Sequence, residues 1–93
     1  MNSYYLTLVL KPDMEEKERK LLLDSVTKKL VGEDGKVEKE DLWGERDLAY
    51  PIKRETKGFF AHFEIEADPK NAKAIDKQFK LEEDVLRYLL VRV

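Results

Sequence analysis

The residues best suited to binding chemistry are concentrated in one twelve-residue segment, WGERDLAYPIKR, which runs from Trp43 to Arg54. The segment contains a tryptophan, a tyrosine, a proline and three basic residues. Proteins bind nucleic acid largely by neutralising phosphates, so an acidic chain has to concentrate its basic residues locally. This chain has 18 basic and 20 acidic residues and a net charge of −2. The run from Lys53 to Lys57 adds three positive charges and one negative, which either serve a binding function or only keep an exposed loop soluble.

The sequence offers little for catalysis or for metal binding. His62 is the only histidine and cysteine is absent, so a transition-metal site would need carboxylates alone. Neither Ser3 nor Ser25 has a histidine in the pattern of a serine triad. The GEDGK sequence follows a predicted helix instead of a strand and lacks the spacing of a phosphate-binding loop. We therefore predict a protein that is not an enzyme, with no catalytic residue, metal, cofactor or small-molecule substrate.

Length and composition predict one cytosolic domain. A chain of 93 residues has room for a single core, so we predict one domain over residues 1–93. The lack of cysteine excludes disulfides and is typical of a cytosolic protein. The N-terminal sequence MNSYYLTLVLKPD has neither the charged region nor the cleavage site of a signal peptide. No apolar run approaches the roughly 20 residues of a membrane span, so we expect no membrane partner.

A strand and a helix are predicted from the first third of the chain. Alternating apolar residues predict a strand over residues 4–10 with the even positions buried. Asp13, followed by Glu16, has the spacing of a capping box and predicts the start of a helix. This helix is expected to end near Val31, with Gly32 as its C-cap. Its apolar stripe is predicted to contain Met14, Leu22, Ser25, Val26 and Leu30, helped by Leu21 and Leu23.

The GEDGK turn is followed by an extended segment and then by three further elements. Residues 36 to about 50 are predicted to be extended and to be interrupted by Pro51 and the basic run. A third strand is predicted over residues 59–67, with Phe59, Ala61, Phe63 and Ile65 facing inward. Asp68 followed by Pro69 predicts the start of a second helix. A fourth strand is predicted over residues 85–93, with Leu86, Tyr88 and Leu90 inward and Arg87 outward.

The resulting order, βαββαβ, predicts the α+β ferredoxin-like fold, a four-stranded antiparallel sheet with both helices on one face. Right-handed crossovers then give the spatial order fourth, first, third, second strand. The second strand lies at an edge, and its apolar and aromatic residues mark either a protected edge or a docking rim. Bases stack on the open face in several RNA-binding domains of this topology, but Glu64 and Glu66 would repel phosphates here. An acylphosphatase-like enzyme would need a phosphate-cradling loop after the first strand, and Lys11-Pro12-Asp13 offers none.

The sequence GERDLAYPIK resembles the signature of the family of the sixth protein of the bacterial small ribosomal subunit. That family shows a glycine, a basic residue two positions on, and then Leu, Ala or Ser, Tyr, one free position, Ile, and a basic or small polar residue. In this chain the matching residues are Gly44, Arg46, Leu48, Ala49, Tyr50, Ile52 and Lys53. YYLTLVLKPDM is similar to the family's first strand and DVLRY to its last, so the resemblance runs from about Tyr4 to Val91.

The resemblance implies a ferredoxin-like fold and a role in translation, in the ribosome of the cytoplasm. It implies binding to small-subunit (16S) ribosomal RNA together with the small-subunit ribosomal protein S-eighteen, whose basic charge would compensate for this acidic chain. On this view the candidates for phosphate contact are Arg46, Lys53, Arg54 and Arg87. The candidates for partner contact or packing are Trp43, Leu48 and Tyr50.

One departure from the family pattern and one competing hypothesis accompany this assignment. Asp47 occupies a position that is basic in many family members, which weakens any phosphate contact there. A competing hypothesis is a protein-interaction module that acts outside the ribosome and uses its edge strand for β-augmentation.

Overall fold

The computed structural model describes residues 2–93, which form one antiparallel sheet and two helices. The elements are β1 (Asn2–Leu10), α1 (Glu16–Val31), β2 (Lys36–Ile52), β3 (Glu55–Ala67), α2 (Pro69–Leu81) and β4 (Val85–Arg92). The strands lie in the order β2-β3-β1-β4, with antiparallel pairing throughout. The predicted ferredoxin-like order of strands, read from the opposite edge, is therefore confirmed.

The core lies between one face of the sheet and the two helices. Leu6, Leu8 and Leu10 of β1 have no exposed surface, and Phe63 of β3 is 2% exposed. They pack against the helical residues Leu23, Val26, Leu30, Ile75 and Phe79. Because side chains alternate along a strand, burying these residues sends the intervening ones to the opposite face. The predicted inward positions of β1 and β3 are confirmed, and the second face of the sheet, here called the open face, has no helix over it.

The start of α1 differs from the prediction. The helix begins at Glu16, and its N-cap residue Glu15 makes no side-chain capping hydrogen bond. Pro12 and Asp13 form a turn instead, because the chain needs the segment after Leu10 to pass from the sheet layer to the helix layer. The capping box is therefore wrong, although Glu16 and Glu18 in the first turn still favour the positive end of the helix dipole.

The rest of α1 agrees with the sequence in most respects. Gly32 has φ 62°, and its N–H donates to the carbonyl oxygen of Lys28 at 3.0 Å, which confirms the predicted C-cap. The fully buried residues of the helix are Leu23, Val26 and Leu30. Ser25, predicted in the apolar stripe, is exposed. Leu23 takes the buried position on that turn, since it is apolar and gains more from burial.

The second half of the fold also follows local signals, with one irregularity. The Asp68 carboxylate accepts a hydrogen bond from the Lys70 N–H at 2.9 Å, with Pro69 next to it, so the predicted start of α2 is confirmed. In β4, Leu10 pairs with Val85 while Val9 pairs with Arg87, which leaves Leu86 as the extra residue of a bulge. Val85 thereby joins the core, the predicted Leu86 is also buried with 6% of its surface exposed, and Tyr88 and Leu90 pack against the core as expected.

Within residues 2–93, neither helix combines the length and the apolar character that spanning a lipid bilayer requires.

The turn between α1 and β2 depends on a close backbone approach at Gly35. A Cβ atom there would overlap the carbonyl oxygens of Glu66 and Val31. Since neither oxygen can rotate away, we expect Gly35→Ala to lower the free energy of unfolding by about 3 kcal/mol, the upper end of the range for overpacking. Urea unfolding measures the change.

Gly44→Ala is the matched control, because Gly44 has φ +87° but no atom within 4 Å of an added Cβ. Its expected cost is only the backbone strain, about 1 kcal/mol. Equal costs for the two variants would show that the contact at Gly35 does not govern stability.

Candidate functional site

The segment singled out in the sequence forms the second half of the edge strand β2. The strand pairs with β3 as far as Asp47 opposite Lys57, and the register resumes only at Ile52 opposite Glu55. A bulge lies between Leu42 and Gly44, where Gly44 has φ 87°. Glycine adopts this conformation without the clash that a Cβ would cause. Gly44 therefore accommodates the bulge, and residues 48–51 have no register partner in β3.

Residues 48–52, here called the strap, reach across the open face toward β4. The Arg87 guanidinium donates to the Tyr50 hydroxyl at 3.0 Å. At the end of the strap, the Lys53 ammonium donates to the carbonyl oxygen of Val85 at 3.2 Å. The strap and the sheet below it line a cavity of about 180 Å³, with Val9 and Phe60 among its walls. The half-buried Leu48 and Ile52 of the strap thus lose contact with water, which favours this course of the chain.

The hairpin after the strap turns on two basic residues. Ile52 pairs with Glu55, so the turn consists of Lys53 and Arg54, with φ values of 50° and 70°. Positive φ at both central positions is the geometry of a type I′ turn, for which Asn-Gly is preferred. Each residue with a Cβ costs roughly 1–2 kcal/mol in the left-handed conformation. The turn therefore presents two exposed cations at a position where other residues would give higher stability.

This turn corrects the sequence prediction for residues 53–59. We expected a loop from Lys53 to Lys57 and a third strand from Phe59, whereas β3 begins at Glu55. Residues 55–57 are polar on both faces of the strand. They therefore lack the apolar alternation from which a strand is predicted. Their pairing is imposed by the neighbouring β2, which local composition does not reveal.

Arg46, Lys53, Arg54 and Arg87, the four predicted phosphate ligands, are exposed and gather toward one end of β2 and β4. Arg46 pairs opposite Gly58 and Arg87 opposite Val9, in adjacent rows of the sheet. Among residues 2–93, none of the four takes part in a salt bridge. Lys53 and Arg87 are hydrogen bonded to neutral oxygens and retain further N–H donors. The four side chains therefore keep capacity for an external anion.

An aromatic cluster lies farther along the open face. The Trp43 and His62 rings are stacked, with centroids 5.3 Å apart and planes at 11°. Tyr5 lies 5.6 Å from His62 on the other side. His62 Nδ1 and Thr7 Oγ1 share a hydrogen bond of 3.0 Å. These contacts fix the orientation of His62 on the sheet surface.

The three predicted partner residues do not share one environment. Trp43 is 41% exposed and Tyr50 is 59% exposed, so both present surface to a ligand. Leu48 belongs to the strap, is half-buried above the sheet and mainly packs. Sequence analysis missed Tyr5, Leu89 and Val91, which share the open face with Trp43. The signal was available, since all three occupy the parity opposite to the core positions of their strands.

Metal and cofactor sites are not evident in this region. Among residues 2–93, no three histidine or carboxylate side chains converge in a way that could hold a metal ion. The two cavities on the open face have volumes of about 180 and 300 Å³. The arrangement is suited to contact with macromolecules over a broad surface.

The chain is similar to one protein family over almost its whole length. The family model described as "Ribosomal protein S6" matches residues 3–92. Among curated relatives, the small ribosomal subunit protein bS6 of Acidothermus cellulolyticus is 39% identical over 92 residues, covering 99% of this chain and 96% of the relative. The bS6 proteins of Streptomyces griseus and Clostridioides difficile are 38% and 37% identical, again over at least 96% of each chain.

A solved structure shows the same fold. The crystal structure of 30S ribosomal protein S6 from Thermotoga maritima superposes with a TM-score of 0.89. The match covers 99% of this chain and 87% of that chain, at 24% sequence identity. The βαββαβ architecture is therefore shared with a solved protein at low sequence identity.

Because the Lys53–Arg54 turn is strained, we expect replacement of Arg54 by glycine to increase the stability. Replacing Arg54 by glycine should raise the free energy of unfolding by about 1 kcal/mol, because glycine tolerates φ 70° without a Cβ clash. Urea unfolding at fixed salt measures the change.

Lys57→Gly is the matched control, since it removes the same charge three residues away within regular strand. There glycine should lower the stability by roughly 0.5–1 kcal/mol. A destabilised Arg54→Gly variant would show that the turn is not strained in this way.

Proposed function

The chain belongs to the ribosomal protein S6 family, and from this premise we propose how it contributes to the ribosome. Members of the family are structural proteins of the small ribosomal subunit and not enzymes. In bacteria the ribosome lies in the cytoplasm, which is where this protein acts. Our proposal concerns the contacts: the protein binds 16S ribosomal RNA jointly with ribosomal protein S-eighteen. No observation favours the competing hypothesis of a module outside the ribosome.

The hairpin turn is the observation that carries the RNA part of the proposal. Lys53 and Arg54 lie at an exposed tip in a conformation that disfavours both residue types. Strained backbone of this kind tends to occur where function, and not stability, determines the residue. Two adjacent exposed cations in a hairpin turn suit contact with a phosphate backbone, because lysine and arginine both donate to phosphate oxygens.

Arg46 and Arg87 extend this basic region from the tip along the open face. Arg87 also orients the strap through Tyr50, so its proposed role combines phosphate contact with positioning. Arg46 lies with its guanidinium carbon 5.7 Å from the Trp43 ring centroid, which leaves its N–H groups free to donate. The four residues together supply a positive region on a chain whose net charge is −2.

A protein partner would explain two features that RNA contact alone does not explain, the net negative charge and the exposed aromatic residues. A net negative chain pays an electrostatic penalty on approaching RNA, and a basic partner bound beside it would offset that penalty. Trp43 and Tyr50 are large, exposed and held in place by contacts with His62 and Arg87. Rigid aromatic side chains of this kind are frequent anchors of protein interfaces. We therefore propose that RNA contact centres on the tip and that S-eighteen contact includes Trp43 and Tyr50.

The proposal predicts the salt dependence of RNA binding. With S-eighteen present, Lys53→Gln and Arg54→Gln should each weaken binding to a central-domain fragment of 16S RNA. Each should reduce the slope of log affinity against log salt by roughly 0.7 to 0.9, the effect of one lost phosphate contact. Filter binding or fluorescence anisotropy over a range of potassium chloride concentrations measures both quantities.

Lys77→Gln provides the control, because Lys77 is an exposed cation on α2, away from the hairpin. It should change neither the affinity nor the slope beyond a small general effect. If the two tip variants behave like Lys77→Gln, the tip does not contact phosphate and the assignment of RNA to it is wrong.

A further inference from the structure

We propose that the strap holds the Lys53–Arg54 turn in the conformation that contacts RNA, and that Tyr50 is the positioning residue of this arrangement. The turn is then fastened to β4 before RNA binds, so that binding does not have to order it. The inference rests on the proposed function, because it concerns how the proposed phosphate contacts are arranged in space. It gives the strap a role in RNA binding that does not require its own side chains to touch RNA.

The strap receives little support from the neighbouring strand. β2 pairs with β3 as far as Asp47, and the pairing resumes only at Ile52, opposite Glu55. Residues 48–51 have no register partner in β3. A hairpin end that is held by few ladder pairs is only marginally stable by itself. The conformation of the strap and of the turn after it therefore depends on contacts with other parts of the sheet.

Apolar packing fixes the first part of the strap. Leu48 is half-buried and reaches the sheet at Gly58, where a Cβ atom would lie 3.5 Å from Leu48 Cδ2 and 2.5 Å from Val9 Cγ1. Gly58 itself is buried. Val9 and Phe60 also line the cavity under the strap. Burial of the Leu48 side chain against these residues favours the position of the strap on the sheet.

Two hydrogen bonds, here called the anchors, fix the rest of the strap and the turn to β4. In the first anchor Arg87 donates to the Tyr50 hydroxyl at 3.0 Å, and in the second Lys53 donates to the Val85 carbonyl oxygen at 3.2 Å. Leu86, the extra residue of the β4 bulge, lies between the two anchor positions of β4. Bulges often redirect groups next to functional sites. This bulge separates a side-chain donor and a backbone acceptor that both hold the same hairpin.

The second anchor is attached to a part of the sheet that is firmly held. Val85 is 3% exposed and packs in the core. The Lys11 N–H donates to the Asp84 carbonyl oxygen at 2.9 Å, and the Val85 N–H donates to the Glu82 carbonyl oxygen at 3.3 Å. The start of β4 is therefore a fixed base for the turn, as a preorganised binding site requires.

Preorganisation has a defined effect on the affinity for RNA. Only those molecules whose turn has the binding conformation contact RNA, so the apparent dissociation constant rises as their fraction falls. The number of phosphates contacted in the complex stays the same, and the salt slope, which reports this number, does not change. A positioning residue is therefore recognised by weaker binding at an unchanged slope, whereas loss of a phosphate ligand lowers both the affinity and the slope.

The test is Tyr50→Phe, which removes the hydroxyl of the first anchor and keeps the ring. With S-eighteen at saturating concentration, we expect the affinity for the central-domain fragment of 16S RNA to fall by about threefold to tenfold, the effect of one net hydrogen bond. The slope of log affinity against log salt should keep its wild-type value. Fluorescence anisotropy over a range of potassium chloride concentrations measures both quantities.

Limited digestion with trypsin tests the anchor without RNA. Trypsin cleaves after lysine and arginine, and in a folded protein the cleavage rate follows the population of the locally open form. We expect Tyr50→Phe to increase the rate of cleavage after Lys53 and Arg54, and to leave the rate after Lys77 on α2 unchanged. Mass spectrometry of the early fragments identifies the cleaved bonds.

Tyr88→Phe is the matched control. Tyr88 is next to Arg87 in β4 but packs on the helix side against Phe79, with ring centroids 4.5 Å apart. Among residues 2–93 its hydroxyl makes no hydrogen bond. This variant should leave the RNA affinity, the salt slope and the cleavage after Lys53 unchanged.

Leu48→Ala loosens the strap by an independent route and should act like Tyr50→Phe in both assays. Urea unfolding of each variant verifies that the fold is intact. Should Leu48→Ala unfold, Tyr50→Phe, which keeps the ring and its packing, decides the outcome.

The possible results distinguish the inference from the proposed function. If the wild-type chain with S-eighteen shows no salt-dependent RNA binding, the proposed function fails and the inference fails with it. If Lys53→Gln and Arg54→Gln lower the slope while Tyr50→Phe behaves like Tyr88→Phe, the proposed function stands and the strap has no positioning role. A lower slope for Tyr50→Phe would assign it a phosphate contact, and a higher affinity would show that the anchor restrains Arg87; either result overturns the inference.

Discussion

The one-sided burial of the sheet is the constraint on which the rest of the structure depends. Two helices are enough to cover one face of four strands, and the apolar side chains of β1 and β3 pack under them almost without exposed area. Alternation along each strand then forces the intervening side chains onto the opposite face. Those side chains are themselves partly apolar and aromatic, so a protein with a single small core retains a surface that is better buried in an assembly.

The strap connects the edge strand β2 with the open face of the sheet. Beyond Asp47, β2 leaves β3 and covers the corner of the face around Phe60. Its end is held by Arg87 at Tyr50 and by Lys53 at Val85. The contacts secure the hairpin, whose two basic residues adopt positive φ. The hairpin turn lowers the stability locally, and the packing of the strap holds the turn in this conformation.

The distribution of charge explains how an acidic protein can have a place in a ribonucleoprotein. Net charge describes attraction at long range, whereas contacts depend on local groups within about a Debye length, some 8–10 Å at cellular ionic strength. Arg46 and Arg87 lie in the rows of Gly58 and Phe60, whereas Asp41 and Glu64 lie in the rows of His62 and Tyr5. The proposed RNA contact and the proposed protein contact can therefore involve different rows of one small sheet.

Sequence analysis identified those features that local residues encode. Gly32 marked the end of α1 and Asp68 the start of α2, since each depends only on the conformation of a few neighbouring residues. Alternation in β1 and β3 predicted which side chains enter the core. The same local reasoning was wrong at Asp13, whose carboxylate lies in a turn, because the distance between the sheet and helix layers decides where α1 can begin.

The amino-acid sequence by itself determined the order of elements, the strand order and the existence of an open face, because periodicity and turn chemistry are local properties. Only the tertiary structure decided the strap, the two-residue turn and the ring contacts of the aromatic cluster. Tyr50 and Arg87 are 37 residues apart and Lys53 and Val85 are 32 apart, and Tyr5 meets Trp43 only through His62. Contacts between residues so distant in the chain arise when the sheet brings the strands together, and no local pattern records them.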